Sequence, residues 1–206
     1  MFDKRPTAGI ILAAGMSTRL GRPKQLLRFG DRYLIDWVLQ ASLSSKLERV
    51  ILVMGHEYAV IIKALGQRLQ DPRLEIVTNQ EYREGMGSSL RLGLERAREG
   101  FPSVMFLLGD QPMVDSPTID LLLEKFWESE KDICVPVQKG VRGNPTLFSI
   151  AVYDKLLAIR GDMGAREIIR ANLKRVLFVE LTNPHLFLDI DTLEDVQTFS
   201  SLLPDS

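Results

Sequence analysis

Short apolar runs alternate along this chain with longer amphipathic segments, and this alternation constrains the fold more than any other feature. Four near-continuous apolar runs occupy the first half: Gly9–Ala14, Val50–Met54, Leu74–Val77 and Val104–Leu108. Such runs are typical of strands covered on both faces, as in a parallel sheet. Apolar residues at helical spacing indicate helices between them, roughly over Leu34–Ser44, Glu57–Leu69 and Ser88–Arg98. The β-α-β-α order predicts an α/β fold, a doubly wound and mostly parallel sheet with helices on both faces.

The second half of the chain is less regular. A helix is predicted from Ser116 to about Ser129, with Ser116 as its N-cap and Pro117 as its first residue. The other predicted elements are strands over Asp132–Val137, Thr146–Phe148 and Val176–Glu180 and helices over Ala165–Leu173 and Leu193–Leu202. No low-complexity linker and no internal repeat separates the two halves. We therefore expect residues 1–206 to form one domain with a smaller C-terminal part.

The composition argues against several classes of partner. With 26 Lys+Arg and 27 Asp+Glu the net charge is -1, whereas proteins that bind the nucleic-acid backbone usually carry a basic excess. No apolar run approaches the ~20 residues that span a membrane, and the run near the N-terminus is at the short limit for a signal peptide. We expect a cytoplasmic protein without nucleic-acid or membrane partners. The single cysteine, Cys134, is predicted to be a buried residue of a strand.

The first strand runs into a loop of small residues that begins Ala13-Ala14-Gly15-Met16-Ser17. Small residues let the backbone approach a ligand, and successive N–H groups can surround phosphate oxygens. Arg19, Arg22 and Lys24 add positive charge within six positions. Neither G-x-x-x-x-G-K-[ST] nor G-x-G-x-x-G is present here. On composition alone, a surface turn with solvated basic side chains is an equally good interpretation.

Two aspartates are candidates for holding Mg²⁺, which prefers one or two carboxylates together with phosphate oxygens and water. Asp110 follows the run Val104–Leu108 directly, and the carboxyl ends of parallel strands share one edge of the sheet. Asp191 lies in the segment FLDIDTLED, on the same side as Asp189 if that segment is extended. The alternatives are a turn-forming role for Asp110 and an N-cap role for Asp191, unless Thr192 is the cap.

The segment LAAGMSTRLG, followed closely by a lysine, resembles the signature L-A-A-G-x-S-x-R-[ML]-G of nucleotidyltransferases. The form is that of the MobA-like NTP transferases, the family that includes molybdenum cofactor cytidylyltransferases. Gly109-Asp110-Gln111-Pro112 and the late D-I-D-T-x-E-D segment are also similar to motifs of that family. The resemblance extends from Gly9 to Val196 and implies a Rossmann-like fold.

The resemblance implies an enzyme that transfers CMP from CTP to the terminal phosphate of molybdopterin bearing molybdenum and releases pyrophosphate. Its cofactor would be Mg²⁺, held by Asp110 and Asp191. In the family the loop backbone binds the triphosphate, the arginine contacts a phosphate and the lysine stabilises the transition state, which are roles for Arg19 and Lys24. Arg22 remains a surface residue. The residues so assigned to the nucleotide are Leu12, Ala13, Ala14, Gly15, Met16, Ser17, Arg19, Lys24, Asn79, Gly85, Ser89 and Asp110.

Base recognition is assigned by the same resemblance to Asn79 and to the turn around Gly85, with Ser89 as the side-chain contact. The residues alone favour Ser88 as an N-cap of the following helix. The guanylyl-transferring relatives carry L-A-G-G, so the methyl group of Ala14 suits a smaller base, and CTP is the predicted nucleotide. The G-[NH]-P and G-D-x-G-A-R motifs face the second substrate in the family. Arg166 is a candidate for an acceptor phosphate or for a surface pair, and Asp162 for a helix cap.

Two other functions remain open. One is cytidylyl or uridylyl transfer to a sugar phosphate or an alcohol phosphate. The other is a non-catalytic module that binds the molybdenum cofactor and delivers it to an apo molybdenum hydroxylase, a protein that the enzyme would also contact transiently. Pyrophosphate release distinguishes the module from either enzyme.

Overall fold

The computed structural model describes residues 6–17, 20–162 and 164–203. In this part of the chain the strands are β1 (Thr7–Ala13), β2 (Arg28–Phe29), β3 (Arg32–Tyr33), β4 (Arg49–Met54), β5 (Leu74–Thr78), β6 (Ser103–Leu108), β7 (Ile133–Gln138), β8 (Val141–Arg142), β9 (Thr146–Ser149) and β10 (Val176–Glu180). The α-helices are α1 (Leu34–Leu43), α2 (Tyr58–Leu65), α3 (Met86–Ala97), α4 (Ser116–Trp127), α5 (Tyr153–Leu157), α6 (Arg166–Ala171) and α7 (Leu193–Leu202). None of the described helices is long and apolar enough to cross a membrane.

One eight-stranded sheet includes strands from both halves of the chain. Its order is β10-β7-β9-β6-β1-β4-β5, with β8 paired to β7, and β2 and β3 form a separate hairpin. Strands β1, β4, β5 and β6 pair in parallel, as do β7 and β10, whereas β8 and β9 are antiparallel to their neighbours. The mostly parallel sheet is confirmed.

Helices cover both faces of this sheet, which confirms the doubly wound, Rossmann-like fold. On one face the buried side chains of α1, α2 and α4 pack against those of β1, β4 and β6. On the other face α3, α5 and α6 pack against the alternate side chains of the same strands and of β7. The strands are apolar throughout because both of their faces are covered.

The winding direction reverses beside β1. The chain adds β4 and β5 on one side of β1 and then places β6 on its other side. The chain segments that follow β1 and β6 therefore lead toward opposite edges of the sheet, and a crevice remains between them. Ligands of open α/β sheets bind in such a crevice, at the carboxyl ends of the strands. Leu12 pairs with Leu108 at this end of the sheet, so the loop after β1 and Asp110 are neighbours.

A third apolar cluster attaches the C-terminal helix to the segment that follows β1. Phe199 of α7 lies edge-on to Phe29 of β2, with ring centroids 4.7 Å apart, and to Trp37 of α1 at 5.4 Å. Ile190 is fully buried in the same cluster. This packing brings the chain just before α7 to the carboxyl ends of β1 and β6.

Two predicted helix caps are wrong, and of the two caps considered for α7 the structure selects Thr192. Asp115 caps α4 by accepting from the N–H of Thr118, so Ser116 is already helical. Ser88 lies inside the first turn of α3, whose N-cap is Gly85. Helix α7 is capped by Thr192 rather than by Asp191.

The remaining differences concern helix boundaries. The predicted helix over Glu57–Leu69 is α2 followed by a 3₁₀ turn at Gly66–Leu69, where Gly66 has a positive φ. The predicted helix over Ala165–Leu173 is the shorter α6. Helix α5 was not predicted, because five residues are too few for a clear helical period.

Replacing Gly93 by alanine is expected to destabilise the protein, because α3 packs against β1 there without room for a side chain. A Cβ atom at Gly93 would lie 2.4 Å from Cγ2 of Ile10, a branched side chain in the sheet that cannot swing away. We expect the free energy of unfolding to fall by about 1–2 kcal/mol, despite the gain in helix propensity. Urea denaturation measures the change. The control is Gly100→Ala, where no atom lies within 4 Å of the new methyl group; an equal loss in both variants would contradict the packing argument.

Cys134 is expected to be unreactive in the folded protein. It is fully buried in β7, and burial raises the pKa of its thiol to about 12. A thiol that stays protonated and inaccessible does not attack disulfide reagents. Titration with Ellman's reagent at pH 8 should detect no thiol in the native protein and one after unfolding in guanidinium chloride. Rapid labelling before unfolding would contradict the structure.

Candidate active site

A cleft of about 450 Å³ opens at the carboxyl ends of β1 and β6. One wall is the loop after β1, a second is the turn that leads into α3, and the floor is the segment after β6. The predicted nucleotide residues that line it are Leu12, Ala13, Ala14, Gly15, Met16, Lys24, Gly85, Ser89 and Asp110. Residues far apart in sequence therefore meet in one crevice.

The other predicted site residues lie elsewhere. Ser17 is not part of the cleft lining, and its hydroxyl accepts from the N–H of Lys24 at 3.1 Å. Asn79 is buried behind the wall. Arg19 lies outside the described residues, so its phosphate contact stays a prediction. Arg22 is exposed, as expected.

Lys24 lies between two carboxylates at the floor of the cleft. Its Nζ donates to Oδ2 of Asp110 at 2.5 Å and to Oδ1 of Asp191 at 2.6 Å. The Lys24 side chain is 14% exposed, against 21% for Asp110 and 45% for Asp191. Burial alone lowers the pKa of Lys24, but the charges and hydrogen bonds of the two aspartates outweigh burial and raise this pKa above its usual value. The three groups form a compact charged cluster.

Two hydrogen bonds hold the aspartate segments together. The N–H of Ile190 donates to the carbonyl of Asp110 at 3.0 Å, and Nε2 of Gln111 donates to Oδ1 of Asp189 at 2.8 Å. The side chains of Asp189 and Asp191 thus have different partners, and Asp191 contacts Lys24. Because Thr192 takes the cap of α7, the Asp191 carboxylate is not used for capping.

The charged cluster has the donor set that a magnesium ion needs. Asp110 and Asp191 present hard carboxylate oxygens within hydrogen-bond distance of one cationic nitrogen, so they already converge on a single positive charge. Within the described residues no group of three or more His, Cys, Asp or Glu side chains could hold a metal by itself. A pair of carboxylates fits a magnesium ion that takes its other ligands from phosphates and water.

The opposite end of the cleft is built around Asn79. Its Nδ2 donates to the hydroxyls of Ser88 at 2.8 Å and Ser89 at 2.9 Å, while its Oδ1 accepts from the N–H of Glu81. The amide thus fixes the start of α3 against the end of β5. Ser89 lines the cleft and Asn79 supports it from behind, so the two residues differ in role although both were assigned to the base.

The turn at Gly85 packs against the loop that contains Asp162. Gly85 has φ 97°, and a Cβ there would lie 2.3 Å from Oδ1 of Asp162. The N–H of Gly87 donates to the carbonyl of Gly161 at 2.9 Å. Asp162 lines the cleft, and α6 has no side-chain cap, so the predicted capping role of Asp162 is wrong. Arg166 begins α6, is exposed and does not line the cleft.

Several cleft residues were missed by the sequence analysis, namely Gln25, Tyr82, Arg83, Met86 and Asp162. Tyr82 and Arg83 lie in a 3₁₀ turn, with the Arg83 guanidinium 5.2 Å from the Tyr82 ring centroid. Such a turn has no hydrophobic period that could mark it. Gln25 follows Lys24 directly, and that adjacency was the one available signal.

The fold and the cleft define a nucleotidyltransferase of the α/β type. Residues 9–176 match the MobA-like NTP transferase domain, and the chain belongs to this family. The match confirms the resemblance based on the loop after β1.

Relatives with different names align over nearly the whole chain. Purine catabolism protein PucB of Bacillus subtilis is 28% identical over 91% of this chain and 92% of its own. Nicotine blue oxidoreductase of Paenarthrobacter nicotinovorans is 27% identical over 91% of this chain and 93% of its own. Molybdenum cofactor cytidylyltransferase of Escherichia coli is 25% identical over 92% of this chain and 93% of its own.

Among solved structures, Rv0371c of Mycobacterium tuberculosis superimposes with a TM-score of 0.82 at 27% identity, covering 97% of this chain and 99% of that protein. The same protein has been solved in complex with manganese, with a TM-score of 0.77 at 26% identity, covering 96% of this chain and 100% of that one.

Replacing Asn79 by alanine is expected to loosen the wall at α3. The variant leaves two buried serine hydroxyls and one backbone N–H without their partner. We expect the free energy of unfolding to fall by about 1–3 kcal/mol in urea denaturation. Asn172→Ala is the control, because water can replace the partners of this half-buried residue. A smaller loss for Asn79→Ala than for Asn172→Ala would contradict the assignment.

Proposed function

We propose that this protein transfers CMP from CTP to the terminal phosphate of molybdopterin bearing molybdenum and releases pyrophosphate. The observation that carries the proposal is the cluster of Lys24, Asp110 and Asp191 directly beside the loop after β1. A small-residue loop, a partly buried ammonium and two converging carboxylates provide both signs of charge that nucleotide transfer requires.

The reaction is an in-line displacement at the α-phosphorus of CTP. A phosphate oxygen of the acceptor forms the new bond to phosphorus, while the bond to the bridging oxygen breaks and its electron pair leaves with pyrophosphate. An acceptor phosphate is already an anion at neutral pH, so no side chain has to remove a proton. Catalysis is then a matter of positioning and electrostatic stabilisation.

Lys24 and the loop supply the positive side of this site. The ammonium of Lys24 would leave its carboxylate partners for the triphosphate and offset the charge that grows on phosphorus and on the leaving group. The N–H groups of residues 14–17 would hold the β- and γ-phosphates. Arg19 is assigned a phosphate contact on the strength of the motif.

Asp110 and Asp191 would hold Mg²⁺, which would neutralise part of the negative charge of the phosphates. The support is their convergence on one cation and the manganese complex of the relative Rv0371c. These carboxylates pair with Lys24 in the absence of ligands, and the single ammonium offsets only one of their two negative charges, so the cluster can accept a further cation.

The choice of CTP rests on Ala14 and on the E. coli cytidylyltransferase relative. Ala14 lines the cleft, and its methyl group packs toward Gly55, where a Cβ would lie 2.9 Å from it. We infer that a methyl group at this position, where guanylyl-transferring relatives carry glycine, favours the smaller pyrimidine base. Asn79, Ser89 and Gly85 would form the base end.

We assign the acceptor to the second half of the chain, within one domain of residues 1–206. The loop at Gly161 and Asp162 reaches the cleft from this half. The product would be delivered to an apo molybdenum hydroxylase by transient contact, in the cytoplasm.

Replacing Asp110 by asparagine is expected to lower the rate of pyrophosphate release from CTP, Mg²⁺ and molybdenum cofactor by about 10²–10³-fold. The amide keeps the shape but removes the charge that faces Lys24. A coupled pyrophosphatase assay measures the rate. Asp154→Asn, at an exposed position of α5, should retain the wild-type rate.

The same assay separates the alternatives. Cofactor binding with no pyrophosphate release from the wild type would identify a delivery module. Equal or faster release with GTP would contradict the assignment of CTP. Release with a sugar phosphate in place of the molybdenum cofactor would contradict the acceptor.

A further inference from the structure

Gln25 is buried in the wall of the cleft, and the reaction described above gives it no role. Its side chain follows that of Lys24, lines the cleft and is 3% exposed. Its Nε2 donates to the carbonyl of Ala13 at 2.8 Å and to that of Gly15 at 3.4 Å. Both acceptors are carbonyl oxygens, so the nitrogen end of the amide must face them.

The hydrogen bonds of Gln25 complete a pattern along the loop. Each of the four carbonyls of Leu12–Gly15, at the end of β1 and the start of the loop, accepts a hydrogen bond from another segment of the chain. The carbonyl of Leu12 accepts from the N–H of Gly109 at 3.0 Å, and the carbonyl of Ala14 accepts from the N–H of His56 at 3.4 Å. The carbonyls of Ala13 and Gly15 accept from the side chain of Gln25. A single side chain thus fixes half of these peptide groups.

The N–H groups of the loop are arranged in the opposite way. Those of Gly15 and Met16 donate to no group within residues 6–17, 20–162 and 164–203, and both residues line the cleft. Occupied carbonyls together with available N–H groups make a loop suitable for an anion. A carbonyl turned into the cleft would instead place a partial negative charge against the phosphates.

Gln25 also has an unfavourable feature, a buried oxygen without a hydrogen-bond partner in the described part of the chain, that an apolar side chain of the same size would avoid. Its Oε1 is fully buried and accepts no hydrogen bond from the described residues. An unpaired buried acceptor destabilises a fold. Methionine would fill a similar volume without that acceptor, so the value of glutamine here lies in its two donated hydrogen bonds.

We propose that Gln25 is a positioning residue for the triphosphate of the nucleotide. Its amide holds the carbonyls of Ala13 and Gly15 away from the cleft, so that the loop presents N–H groups to the phosphate oxygens. The inference rests on the proposed function and deepens it, because it assigns the control of loop orientation to a side chain outside the loop.

The test is the binding of inorganic tripolyphosphate and of CTP, each with Mg²⁺, to the wild type and to Gln25→Met, measured by isothermal titration calorimetry. Tripolyphosphate has no base or ribose, so it reports on the phosphate-binding part of the cleft without the base end. We expect both dissociation constants to rise by the same factor, about tenfold or more. The control is Ser42→Ala, which removes a buried hydrogen bond to the carbonyl of Val38 in α1 and should leave both constants unchanged.

The outcomes separate the inference from the proposed function. Unchanged tripolyphosphate binding in folded Gln25→Met, or equal weakening in Ser42→Ala, overturns the inference alone. A wild type that binds neither ligand overturns both. If Gln25→Met does not fold, Gln25→Asn replaces it, because the shorter amide cannot reach both carbonyls, and the same weakening is expected.

Discussion

The placement of a partly buried ammonium between two carboxylates is the interaction on which the site depends. Lys24 contacts Asp110 and Asp191 at hydrogen-bond distance, and the two less exposed groups, Lys24 and Asp110, would be costly to hold in a cleft without a partner of opposite charge. Their mutual attraction keeps the floor of the cleft compact, and the ammonium offsets one of the two negative charges. A nucleotide with its metal brings an anion for the lysine and a cation for the aspartates. The cluster can therefore exchange internal partners for ligand partners without leaving an unpaired charge.

The fold supplies these three residues from separate places. Lys24 follows β1 and Asp110 follows β6, the two neighbouring strands beside which the winding reverses. Asp191 comes from the far end of the chain and is held by the packing of Phe199 and Ile190 against the segment after β1. Helix α7 is thus part of the site's construction, although it lies outside the cleft. Gln25 adds a second level of control, on the peptide groups of the loop itself.

Much of the architecture could be predicted from the sequence, since apolar runs covered on both faces have a clear pattern and appear at β1, β4, β5 and β6. The loop after β1, Lys24, Asp110 and Asp191 could be found because each follows a strand or matches a motif. Helix caps and side-chain partners could not be predicted from the sequence. Asp115 and Ser116, for example, are both favourable N-cap residues, and only the structure distinguishes them. Asp162 and Gln25 were missed or misassigned because their roles depend on contacts with Gly85, Ala13 and Gly15 across long or irregular segments.

The most direct test of the account is a crystal structure of the protein with CTP and Mn²⁺, in which anomalous scattering locates the metal. We expect a manganese ion bound by Asp110 and Asp191, the triphosphate against residues 13–17, and the ammonium of Lys24 moved from the carboxylates to a phosphate. A manganese ion bound away from both aspartates would contradict it. So would a triphosphate bound elsewhere while Lys24 remains between Asp110 and Asp191.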